Sequence, residues 1–112
     1  MRLRHIFLAA SILATAAPAL AGPPEDFKAL TDEYWADAMR ENPTFASAIG
    51  VHDYDDRLDD VSLAGQDRRA AASAGYLKRL NAIADDGLSP ADRINKAILR
   101  RLLSESDRKS VV

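Results

Sequence analysis

In four stretches between residue 24 and residue 103 the large apolar side chains recur at steps of three and four, and no stretch sustains alternation at steps of two. That period places them on one side of an α-helix and on neither face of a strand, so the pattern admits an all-α fold and argues against a sheet. Phe27, Leu30, Tyr34 and Ala38 make the first stripe, widened by Trp35. Glu25 and Asp26 sit in its first turn, where carboxylates suit the positive end of the helix dipole. Pro43 ends it, because the residue before a proline is pushed out of the α region. The spacing predicts this helix from about residue 24 to 42.

Three further helices follow from punctuation. Asn42 is placed to cap a short second helix in which Pro43 takes the first position, where its missing N–H is not needed. Phe45, Ala46 and Ile49 are expected along one side, with Gly50 as the stop. Ser62 caps a third helix running to about residue 85, with Gly87 as its stop. The first half of that helix is small (Ala64, Gly65, Ala70, Ala71, Ala72, Ala74, Gly75), and the second carries Tyr76, Leu77, Leu80 and Ile83. The small face suits close approach of another helix; equally, Gly75 is merely tolerated at a cost of about 1 kcal/mol relative to Ala. Ser89-Pro90-Ala91-Asp92 opens the fourth helix with a cap, a proline and a carboxylate in the positions each prefers. There Ile94, Ile98 and Leu102 form one row, with Leu99 and Leu103 beside it, and residues 104–112 are polar until the last two.

Ahead of these helices stands a different kind of segment. Arg2 and Arg4 are followed by an apolar run from Ile6 to Ala17, a helix-breaking Pro18, and the small pair Ala19 and Ala21. This is the three-part pattern of a secretory signal. The run is too short to cross a hydrocarbon core of about 30 Å as a stable helix, although an uncleaved anchor is the alternative. The reading is a signal peptide over residues 1–21, cleaved after Ala21, and a periplasmic or secreted helical segment over residues 22–112. No cysteine follows the cleavage position, which excludes a lipid anchor there, and after cleavage no membrane attachment is expected.

The chain of 112 residues holds no cysteine, so disulfides cannot support a domain this small and apolar burial must. Setting Arg2 and Arg4 aside leaves 13 Lys and Arg against 17 Asp and Glu, a net charge of −4. No nucleic acid is expected as a partner, since binding one requires a basic face.

Catalytic chemistry finds little to build on. His52 is the only imidazole after the leader, and with no cysteine a zinc site of His and Cys ligands cannot form within one chain. The acidic connector, residues 51–61, places Asp53 and Asp55 like the first two ligands of a calcium loop. However, Leu58 stands where that loop needs Gly, and Ala64 where it needs Glu. Repeated Asp suits self-capping turns instead. Ser73, in Ala71-Ala72-Ser73-Ala74-Gly75, lacks the first glycine and the strand-turn-helix setting of a nucleophile elbow. Glu33, Asp37 and Glu41 fall at four-residue steps, so three like charges share one helix face and repel. They form a solvent face or else a docking face for a partner segment, and a basic helix elsewhere is able to compensate the repulsion. No catalytic residue, cofactor-binding residue or metal ligand is assigned, and no cofactor is expected.

Taken in order, Phe27-x2-Leu30-x2-Glu33-Tyr34-Trp35, Asn42-Pro43-Thr44-x-Ala46 and Gly50-Val51-His52-Asp53-Tyr54-Asp55-Asp56-Arg57-Leu58-x-Asp60-x-Ser62 resemble the amino-terminal opening of the DUF885 family. Leu88-Ser89-Pro90-Ala91-Asp92-Arg93-Ile94 is similar to a segment that follows that opening. The resemblance implies an exported bacterial protein, helical throughout and similar to zinc metallopeptidases. It also implies that the His-Glu zinc helix of such proteins lies far beyond residue 112, where no position here matches it. On this reading the chain is a truncated amino-terminal portion without catalysis of its own, and a peptide substrate is expected only where the remainder is present. The rival, from a different class, is a self-sufficient helical binding module.

Overall fold

A computed structural model of the chain describes residues 21–109, with side chains to residue 106. The leader over residues 1–20, and the export signal read in it, lie outside the described residues. Four helices occur in chain order: α1 Pro23–Glu41, α2 Pro43–Ala48, α3 Leu63–Ala82 and α4 Pro90–Lys109. Among the described residues there is no strand, and no helix is long and apolar enough to cross a membrane. The all-α expectation is met.

The starts of the two long later helices follow their local code. Ser62 Oγ accepts the Gly65 N–H at 3.0 Å and opens α3. Ser89 Oγ accepts the Asp92 N–H at 3.1 Å and donates to the Asp92 carboxylate at 2.8 Å, so the hydroxyl caps the helix start and is itself held in place. Gly50 and Gly87 have positive φ, 92° and 85°, where a side chain would be strained, and each stops a helix or turn as its position predicts.

Asn42 departs from expectation. Its backbone, φ −128° and ψ 64°, turns the side chain backward, and Nδ2 donates to the Ala38 carbonyl at 2.8 Å. Asn42 therefore closes α1 rather than opening α2. The Thr44 N–H at the start of α2 is accepted instead by Asp59 Oδ1 at 3.1 Å, from the connector. The side of α2 that docks is the row Pro43 and Ala46, both buried, while Phe45 and Ile49 form the neighbouring row and are about half exposed.

Helix α3 ends at Ala82, earlier than its apolar pattern. Ile83 is extended (ψ 123°) and packs against the core. Two side chains of α4 explain the early stop: Lys96 Nζ donates to the Ile83 carbonyl, and Arg93 Nε donates to the Asp85 carbonyl at 3.2 Å. The first satisfies a carbonyl just past the helix end, the second adds a donor to the Asp85 carbonyl that the Leu88 N–H also reaches, and both draw the chain into the turn toward α4.

Side-chain pairs fix the directions of the helices. Glu33 with Arg79, Asp37 with Tyr76 and Glu41 with Arg68 run in opposite order along α1 and α3, so the two are antiparallel. Asn81 with Arg100 and Asp85 with Lys96 make α3 and α4 antiparallel as well. Helices α1 and α4 therefore run parallel on either side of α3. The core between them is Phe27, Leu30, Tyr76, Leu80, Leu88, Leu99 and Leu103, with Tyr34, Leu77 and Ile83 packed against it. Burial removes this apolar surface from water, and no disulfide supplements it.

On α4 the longest apolar row is not the buried one. Leu99 and Leu103 face the core, whereas Ile94, Ile98 and Leu102 are 62%, 54% and 51% exposed. The small face of α3 also divides. Gly65 is buried because the Asp60 carboxylate lies where its Cβ would be, at 2.6–2.8 Å, so the close approach is made by a connector side chain and not by a helix. Around Gly75 nothing lies within 4 Å of a built Cβ. Gly75→Ala is thus expected to stabilise the chain by up to about 1 kcal/mol through helix propensity. Thermal melting followed by circular dichroism checks it, with an expected rise of roughly 4–8 °C per kcal/mol. A fall would mean that another surface comes close to this position.

Candidate functional site

The three carboxylates of α1 are compensated by α3. Arg79 Nη2 donates to Glu33 Oε2 at 2.7 Å, the Tyr76 hydroxyl donates to Asp37, and Arg68 donates to Glu41 Oε2 at 2.9 Å. Arg40 adds a second partner to Asp37 at 2.7 Å. Steps of four and three from Arg68 through Ala72 and Tyr76 to Arg79 set these groups on one side of α3, facing the four-residue steps of α1. The hydrogen bond from Arg79 holds the Glu33 carboxyl below its ordinary value. Burial first, and then the bond to Asp37, push the Tyr76 phenol well above its usual value, so it remains a donor at neutral pH. Tyr34 meets Tyr76 edge to face, ring centroids 5.5 Å apart.

Where the small first half of α3 passes between α1 and the end of α4, a cleft of about 500 Å³ opens. Ala70 and Ser73 line it from α3, Ala38 and Asn42 from α1, and Ser106 from α4. Asp37, Glu41 and Asp67 give it three carboxylates against Arg69. Asp67 has no hydrogen-bond or ion-pair partner among the described residues. A second, smaller cavity lies at the other end, between Phe27 and Thr31 of α1 and Asp92 and Asn95 of α4. Neither cavity was foreseen. The small residues of α3 were the signal for the larger one, but they were read as a seat for close packing.

The acidic connector binds itself. Asp55 accepts from Ser47 Oγ and lies 2.9 Å from His52 Nδ1. The serine hydroxyl first, and then His52, lower the Asp55 carboxyl. Asp60 accepts from the Ser62 N–H at 3.0 Å and the Ser62 hydroxyl at 2.6 Å, and Arg68 bridges it to Glu41. Arg69 donates to the Asp60 carbonyl at 2.8 Å, and Asp59 caps α2. These are the local side-chain turns that repeated Asp favours. Leu58 is 88% exposed and Ala64 lies in the first turn of α3. Among the described residues no three His, Cys, Asp or Glu side chains converge as a metal site.

Among the described residues the arrangement orients charges and no hydrogen bond pairs a nucleophile with a base. Ser47 gives its proton to Asp55 and not to His52. Ser73 sits in the middle of α3 and lines the cleft.

The fold and these sites define a small all-α segment, three long helices and a short one, whose polar groups serve chiefly to hold its helices and connector together. The family described as "Bacterial protein of unknown function (DUF885)" matches residues 43–111, more than half of the chain, and the chain belongs to that family. The match starts at the first residue of α2 and leaves α1 outside it. No curated protein and no solved structure matches.

Proposed function

We propose that this chain is the amino-terminal helical part of an exported DUF885 protein and acts as a scaffold, walling the body in which relatives of full length carry out metal-dependent hydrolysis of peptides. The observation that carries the scaffold role is how its side chains are spent. Glu33, Asp37, Glu41, Asp55, Asp59 and Asp60 each hold a helix end, a connector or a neighbouring helix. Meanwhile Trp35, Ile94, Ile98 and Leu102, which a self-sufficient bundle would bury, are at least half exposed. The resemblance to metallopeptidase-like proteins supports the hydrolase part, and the basic, apolar and small-residue leader supports export.

Purifying the chain and measuring its thermal transition, dye binding, zinc content and hydrolysis of a mixed peptide pool tests this. The expected result is a helical chain with a broad transition that binds a hydrophobic dye and hydrolyses nothing. A sharp monomeric melt without dye binding would favour a self-sufficient module, for which the near-complete burial of Leu30, Leu80 and Leu103 speaks. Stoichiometric zinc with turnover would refute both.

A further inference from the structure

The seam between α1 and α3 has two unlike halves. In one half the core holds it: α1 contributes Phe27 and Leu30, with Tyr34 packed alongside, and α3 contributes Tyr76 and Leu80, with Leu77 and Ile83 alongside. Among the described residues the core takes nothing from α1 after Tyr34 and nothing from α3 before Tyr76. In the other half lies the cleft of about 500 Å³, with Ala38 and Asn42 on one side and Ala70, Ala72 and Ser73 on the other. Polar bonds cross the seam there. The Tyr76 hydroxyl on Asp37 marks the inner edge, and further out Arg68 donates from Nε and Nη2 to Glu41 Oε2, at 3.3 and 2.9 Å. Met39 of α1 and Pro43 and Ala46 of α2 are buried apart from the core, and the Asn42 carbonyl accepts the Ala46 N–H at 2.9 Å. The end of α1 and α2 thus make one corner.

We propose that this corner is a flap: α1 stays pinned to the core by its first half, and its far end lifts from α3 with α2, opening the cleft, with the Arg68–Glu41 bond as the latch. Lifting uncovers little apolar surface, because the seam there is already a cleft lined by small and polar groups. The hydrophobic term that holds Phe27 and Leu30 therefore does little to resist it. This is a local opening, separate from the unfolding of the core. The Arg68 side chain is 53% exposed and Glu41 22%. Salt therefore reaches the latch and weakens it, as the Debye length falls from about 10 Å at 0.1 M to about 3 Å at 1 M. Arg68 also donates to Asp60 of the connector at 3.3 Å, so it stays in position when Glu41 leaves and the flap closes again on the same partner.

The chain has no cysteine of its own, so paired spin labels read the motion without interference. One pair, Ala48→Cys on α2 with Ala71→Cys on α3, spans the seam. The other, Ala74→Cys on α3 with Ala97→Cys on α4, spans the hairpin that should not move; all four alanines are exposed. Raising salt from about 0.1 M to about 1 M is expected to raise the long-distance population of the first pair about threefold and to leave the second pair unmoved. Arg68→Gln and Glu41→Gln should each raise that population about threefold at low salt. Combined they should raise it no further, because both remove the same bond. Unchanged helical circular dichroism shows that the variants are folded, and should either fail to fold, the salt series on the labelled parent decides alone. A first-pair distance that neither salt nor the variants move overturns the proposal. So does broadening of both pairs together, which would mean that the whole chain loosens and no separate flap exists.

Discussion

Leu80→Ala is expected to leave the chain largely unfolded at 25 °C, whereas Ile98→Ala leaves its helical circular dichroism nearly unchanged. Both residues belong to apolar rows of long helices, and the sequence gives no ground for ranking them. Packing does: Leu80 is 0% exposed in the centre of the core, and Ile98 is 54% exposed on the surface of α4. Truncating a fully buried leucine removes its transfer free energy and leaves a cavity, about 2–5 kcal/mol in all. A core of this size, without a disulfide, rarely supplies more than about 3–5 kcal/mol. One substitution thus removes most of the stability. Truncation of Ile98 should stay within about 0.5 kcal/mol, as is usual at the surface. Urea titration of the two variants beside the parent chain measures the contrast. Equal losses would mean that Ile98 is covered in solution, and the core described here would have to be redrawn.

What was legible in the chain is what a few neighbouring residues decide. Ser62 and Ser89 cap where they were expected to, because a cap needs only a hydroxyl and an N–H three residues on. Gly50 and Gly87 adopt positive φ where the helical patterns break off. Asn42 shows the limit of such reasoning: the same side chain can serve the end of α1 or the start of α2, and the choice fell to Asp59, seventeen residues away, which satisfies Thr44 in its place.

The carboxylate row of α1 lies between these cases. Its repulsion was visible as spacing, and so was the need for compensation. That Arg68, Tyr76 and Arg79 supply it depends on how α1 and α3 pack, and nothing within α1 encodes that. On α4 the period identified the helix and could not choose its inner face. Ile94, Ile98 and Leu102 are spaced as regularly as a buried row, but Leu99 and Leu103 are the ones that meet Leu80 and Leu30 in the core.

Lys96→Met is expected to cost about 2 kcal/mol, although a charged residue is being replaced by an apolar one in a buried position. Lys96 is only 3% exposed and would ordinarily be read as a defect in the core. Its ammonium, however, donates to the Ile83 carbonyl and to Asp85 Oδ1, the latter at 2.6 Å, and so closes the end of α3 from α4. Methionine keeps most of the stem and its packing but can donate to neither oxygen. Hydrogen bonds from a charged donor contribute roughly 1.5–3 kcal/mol, and the Ile83 carbonyl would be left without its partner. The turn from Ile83 to Leu88, and with it the seating of Leu88 in the core, should loosen. A pH signature separates this clamp from simple packing. The hydrogen bond from Lys96 above all, helped by the charges of Lys96, Arg100 and Arg93, holds the Asp85 carboxyl below its ordinary value. A depressed carboxyl contributes stability that is present above the unfolded value of about 3.9 and is lost as pH falls through the lower folded value. The parent chain should therefore lose stability as it is acidified below about pH 4, and Lys96→Met should lose less over the same range because that share is already gone. Melting the two proteins across this range decides the matter: parallel curves would show that Lys96 is held by its stem, and that its charge does not tie α3 to α4.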